Sequence, residues 1–277
     1  MSGAPPPGRI IRNTIKQVRA ENIPLLAGGV AFYAMLALVP ALAAAVSVYG
    51  MVVSRAQVDR QIASLTATLP PEARQLITSQ LKTITASSSG GLRLSLAAGL
   101  AVALWSASSG MRWLLSAITA AYGEIETRKF LKLRSLALVM TLGAILALGV
   151  SLGALLALPL VADRVGLGGV ARLSISIIRF PVLAALLIAG LAVLYRYGPD
   201  GPKDNRRWLT WGSAVAAGVW LLGSIGLSVY ATNSSKFKAA GTYGALGAVV
   251  VLLLWLWMTS FAVILGAVVN AQVERAR

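Results

Sequence analysis

The sequence predicts an all-α, polytopic integral membrane protein with six transmembrane helices and an amphipathic helical segment between the first two. Three observations carry this. Of 277 residues, 57% are hydrophobic and 12% are charged, whereas a soluble domain has about 25% charged residues and needs a polar surface over its core. The apolar residues fall into six runs, each close to or above the ~20 residues that cross a hydrocarbon core as a helix. Most of the Pro, Ser, Asp, Lys and Arg residues lie between the runs, as connections outside the hydrocarbon require.

The elements follow in order. Residues 1–24 form an N-terminal segment, and the Pro5-Pro6-Pro7 tail up to Gly8 reads as a disordered end. The first span, about 25–53, contains LAGGVAFYAMLALVPALAAAVSVYG, which has no charged side chain. It is too long for a secretory h-region of about 7–15 residues, so it is expected to stay and span. Residues 54–91 carry Val58, Ile62, Leu65 and Leu69 at helical spacing, then Leu76, Ile77 and Leu81 beyond Pro70-Pro71. Two short external amphipathic helices fit, packed on the headgroups or bundle, or capping an opening between spans. The other spans are about 92–115, 136–161, 180–197, 209–230 and 245–270, followed by a 271–277 tail.

Charge sets the expected orientation. The clusters Arg9 to Arg19, Arg128 to Arg134, Arg196 to Arg207 and Arg275 with Arg277 outnumber those at Arg55 to Lys82, Arg164 with Arg172, and Lys236 with Lys238. By the positive-inside rule both termini are cytoplasmic. The net charge of +16 is spread in short clusters between apolar runs. That pattern points to membrane lipids with anionic headgroups as partners rather than to nucleic acid. A homo-oligomer is compatible with the small-residue faces.

Glycine and proline inside a span need a reason, because lipid offers no partner for a freed backbone group. Gly28, Gly29 and Gly244 read as close-approach sites, and Pro40 and Pro181 as static kinks or hinges. In LWSASSGMRWLL, the residues Trp105, Ser108, Ser109 and Arg112 share one helix side. Arg112 either snorkels to the near interface or contacts a solute or headgroup, and Arg179 gives the same pair of readings from the other end. Asn270 ends a face with Thr259, Val263 and Gly266, where a helix–helix hydrogen bond fits. Together Trp105, Ser108, Ser109, Arg112, Arg179 and Asn270 are the candidate solute or headgroup contacts.

Chemistry is sparse. The chain has no His and no Cys, which removes the commonest general base and the soft metal ligands. Its nine acidic residues lie outside the spans or at their ends, so no mid-depth carboxylate serves ion coupling. No catalytic residue, metal site or cofactor is expected.

Several phrases in order resemble the YihY/BrkB family of bacterial inner-membrane proteins: NIPLLAGGVAFYAMLALVP (Asn22 to Pro40), LWSASSGMR (Leu104 to Arg112), AYGE (Ala121 to Glu124), YRYGP (Tyr195 to Pro199) and TYGALGAVVVLLLWLW (Thr242 to Trp257). The resemblance implies a six-helix, multi-pass protein of the bacterial cytoplasmic (inner) membrane, and it supplies no active site to carry over. Some family members were once labelled ribonuclease BN, a label that conflicts with the missing His, Cys and acidic cluster. Family members often carry an acidic residue where this chain has Val268, and commonly Asp where it has Glu21. The expected function is transport, export or flipping of an anionic or amphiphilic envelope solute or lipid. The alternative is a non-transporting scaffold or envelope-assembly factor.

Overall fold

The computed structural model describes residues 7–52, 92–164, 169–201, 210–233 and 244–276, and side-chain surroundings over most but not all of these. Seven helices make up the described residues, with no strand among them: α1 (Pro7–Ala20), α2 (Ile23–Val52), α3 (Leu92–Ala121), α4 (Phe130–Arg164), α5 (Gly169–Tyr197), α6 (Trp211–Asn233) and α7 (Gly244–Arg275). The expected external helices of residues 54–91 lie outside the described residues.

Each of α2 to α7 covers one of the apolar runs. Six spans were expected; among the described residues three segments, Phe130–Ser151, Trp211–Tyr230 and Gly247–Arg275, are long and apolar enough to cross a membrane alone. Gly8–Ala20 with Ile23–Leu38, bent by 62°, form a fourth only as a pair. The helix α1 was not legible as an element, because its residues read as a polar lead-in to the first span. Asn22, at φ 49°, makes the corner after it. Asn tolerates the left-handed region that ends a helix, and its carbonyl accepts from the amides of Leu25 and Leu26 as α2 begins.

The chain divides into two compact units, Met1–Met35 with Ser108–Arg277, and Leu36–Ala107. The second unit holds the rest of α2, which continues as helix through Pro40, and the start of α3. In the first unit α7 packs along α6, α4 along α5, α5 along α6, and α1 against α7. The core of that unit draws on Ile23, Ala27 and Val30 of α2, Ala117, Ile118 and Ala121 of α3, Leu191 and Tyr195 of α5, Ala216 and Ala217 of α6, and Ile264, Ala267 and Val268 of α7. Alanine dominates because helices in lipid gain nothing from apolar burial itself and associate through close backbone approach. Many large aliphatics lie outside: Leu131, Val139, Leu146 and Leu148 of α4 and Leu222 and Ile225 of α6 are all exposed.

Candidate functional site

Two polar regions stand out in the first unit. One lies where α3 ends and α4 begins. Gly123 terminates α3 at φ 71°, with its amide bonded to the Ala120 carbonyl and the Glu124 amide to that of Thr119, the paired bonds of a Schellman cap. A Cβ at Gly123 would run into the Arg275 guanidinium, which donates to the Tyr122 carbonyl at 2.6 Å.

The loop that follows is clamped to the end of α5. Arg128 makes a two-pronged contact with Glu126, Nε to Oε1 at 2.6 Å and Nη2 to Oε2 at 2.7 Å, and Nη2 also reaches the Gly198 carbonyl at 2.8 Å. The fully buried Thr119 donates to the Leu115 carbonyl and faces Glu126, and it accepts from the Asp200 amide at 3.3 Å. The Asp200 carboxylate accepts from the Thr127 hydroxyl at 2.6 Å and the Thr127 amide at 2.7 Å. Those two bonds, the hydroxyl first, hold its carboxyl below the usual carboxylate range. Gln17 of α1 joins the same end, donating to the Ala121 carbonyl and to Glu21 while Gln272 donates to it. A cleft of about 250 Å³ opens between α1 and α7, lined by Arg9, Ile10, Asn13, Gln272, Arg275 and Ala276.

The second region is the Ser-Arg face of α3. Ser108 is fully buried. Ser109 accepts from Arg134 Nη1 of α4 at 3.1 Å. Arg112 stacks over Trp113 and Phe130, with its guanidinium carbon 5.1 and 5.8 Å from the ring centres. Arg134 is 4% exposed. Its partnership with Ser109 was missed at the sequence level, since an Arg four residues inside a helix start reads as an interfacial charge.

The other expected residues separate. Trp105, on the same helix, is 53% exposed. Asn270 sits at a different junction, where its Oδ1 accepts from the Gly212 amide at 2.8 Å, the helix–helix bond expected of it. The side chain of Arg179 and the surroundings of Gly244 are not among those described, and Pro181 is exposed within α5. A Cβ at Gly28 would lie 3.9 Å from Trp257. At Gly29 a Cβ would meet nothing within 4 Å among the described residues, so close approach is not found there. It occurs at Gly110, 3.4 Å from the Ala34 backbone, and at Gly212, Gly223 and Gly266. Among the described residues no three His, Cys, Asp or Glu side chains group within reach of one metal ion.

Comparison with known proteins settles the family. The profile of the family described as "Virulence factor BrkB" matches residues 14–277. This chain belongs to the BrkB family. Among curated proteins it is similar to the "Putative ribonuclease-like protein YfkH" of Bacillus subtilis, 27% identical over 216 residues that cover 75% of this chain and 75% of that one. No solved structure matches. The match starts inside α1 and runs through α7, so the clamp and the Ser-Arg face both lie within it.

Proposed function

We propose that this BrkB-family protein moves or flips an anionic or amphiphilic envelope solute or lipid across the bacterial inner membrane, through six spans with both termini in the cytoplasm. The observation that carries the reading is the polar face of α3, where Ser109 accepts from Arg134 and the buried Nε of Arg112 has no hydrogen-bond partner among the described residues. A buried guanidinium N–H without an acceptor favours an anion, and the preference grows as the local dielectric falls. The Ser108 and Ser109 hydroxyls extend the same face with groups that hydrogen-bond phosphate or carboxylate oxygen. Purified protein in vesicles carrying a fluorescent anionic phospholipid tests this. Wild type should expose the probe to an external quencher faster than empty vesicles. Arg112→Gln should slow that movement while abundance stays normal, and Arg112→Lys should retain most of it. No movement of lipid or anionic solute by the wild type would leave the scaffold reading. A phosphatase fusion at Arg277 tests the orientation: activity there would overturn it.

We further infer that the chain is not an enzyme and takes no cofactor. The name of the Bacillus relative does not carry over, because RNA cleavage needs a general base or a metal cluster, and this sequence holds no His and, among the described residues, no three acidic side chains grouped to hold a metal. RNA incubated with purified protein and a divalent metal should stay intact. Cleavage abolished by a point substitution would refute this.

A further inference from the structure

The helix α1 is built the wrong way round for a helix that only docks on its own protein. Its packed side includes polar groups: Thr14 and Gln17 are buried, Gln17 bonds to Ala121 and Gln272, and Val18 packs beside them on the core. Its open side is apolar and basic. Ile11 is 61% exposed and Ile15 is 50% exposed, one turn apart on the same face. Arg9, Arg12, Lys16 and Arg19 are exposed too, and at 100° per residue they fill the arc beside the isoleucine pair, opposite the Thr14–Val18 edge. The helix contains no acidic residue.

Position supports the same conclusion. The helix bends by 62° from the start of α2, which lays it closer to the membrane plane than to the normal when α2 crosses. It docks on the end of α7 beyond Asn270, where that helix leaves the apolar region.

We propose that α1 is an interfacial helix that lies on an anionic lipid surface. Ile11 and Ile15 enter the acyl boundary, and Arg9, Arg12, Lys16 and Arg19 contact the headgroups. An apolar stripe with flanking cations is the pattern of in-plane membrane helices, and headgroup phosphates complement a helix that carries only positive charge. The proposal does not depend on transport, only on membrane residence.

The chain has no cysteine, so single cysteines introduced into the full-length protein can be spin-labelled cleanly at positions 11, 12, 14, 15 and 16. In phosphatidylcholine vesicles containing phosphatidylglycerol, labels at 11 and 15 should collide with oxygen more often than with an aqueous nickel complex. Labels at 12 and 16 should show the reverse, and a label at 14 should be shielded from both. In pure phosphatidylcholine the preference at 11 and 15 should fall, and Arg12→Gln or Lys16→Gln should weaken it in anionic vesicles by roughly fivefold per cation. Aqueous exposure at 11 and 15 in both lipids would overturn the proposal. So would shielding only in native membranes, which would indicate a protein partner, or an identical depth in both lipids, which would indicate an apolar anchor without headgroup recognition. A transport defect with normal depth at 11 and 15 would leave the proposal standing.

Discussion

Gly266→Ala is the sharpest test of the packing that holds α5, α6 and α7 together. A methyl group built at Gly266 would collide with the Tyr195 hydroxyl and lie 2.6 Å from the Gly212 carbonyl oxygen and 2.8 Å from the Ala216 methyl. The Gly212 oxygen belongs to the backbone, so it can yield only if α6 shifts. Overpacking of this kind costs about 1–3 kcal/mol. Tyr195 is 2% exposed and donates to the Val263 carbonyl at 2.8 Å. If its hydroxyl is displaced, a buried polar group is left unpaired, at about 1–3 kcal/mol more. The combined loss of about 2–6 kcal/mol is offset by at most about 1 kcal/mol from the better helix propensity of Ala over Gly. Gly143→Ala is the matched control, because a Cβ there meets nothing within 4 Å among the described residues, and it should be neutral or stabilising. Thermal unfolding in lipid nanodiscs, followed by size-exclusion recovery, compares the two. Tyr195→Phe should restore part of the loss in the Gly266→Ala background, since it removes the nearest obstacle. Equal midpoints for Gly266→Ala and Gly143→Ala would refute the reasoning.

Other consequences follow from the clamp and from Asn270. Arg128→Ala leaves Glu126, the Gly198 carbonyl and Thr119 short of a donor, at about 1–3 kcal/mol per unsatisfied group. It should speed proteolysis of the 122–129 loop, and Lys should rescue it poorly because it lacks the planar fork. Asp200 is favoured in its ionised form by the folded state, chiefly through Thr127. That stabilisation is complete above about pH 4, the ordinary carboxylate value, and is lost as pH falls through the lowered folded value. Asp200→Asn should therefore flatten the acid limb of the stability profile below pH 4 relative to wild type, and an unchanged slope would refute it. Asn270→Ala strips the buried Gly212 amide of its acceptor and should lower the unfolding free energy by about 1–3 kcal/mol with normal membrane insertion.

The sequence alone determined the membrane class, the all-helical architecture and the family. Each of these is a property of composition or of contiguous chain. A helix that must satisfy its own backbone in lipid announces itself as an uninterrupted apolar run, and the phrases from Asn22 to Trp257 lie inside the family match. Asn270 was legible as a helix–helix donor or acceptor because a lone carboxamide among apolar residues has few other uses. The tertiary structure decided which small residues mark close approach. Gly29 and Gly266 look alike in sequence, yet a Cβ at one meets nothing within 4 Å among the described residues and at the other meets three atoms, because a glycine has no side chain to report its surroundings. It also decided that Arg134 meets Ser109, that the loop Arg128 clamps the end of α5, and that α1 turns a polar face inward. These pairings join residues 25, 70 and 255 positions apart. The alternation of polar and apolar residues gives the faces of a helix, and only the packed neighbours say which face meets protein and which meets lipid.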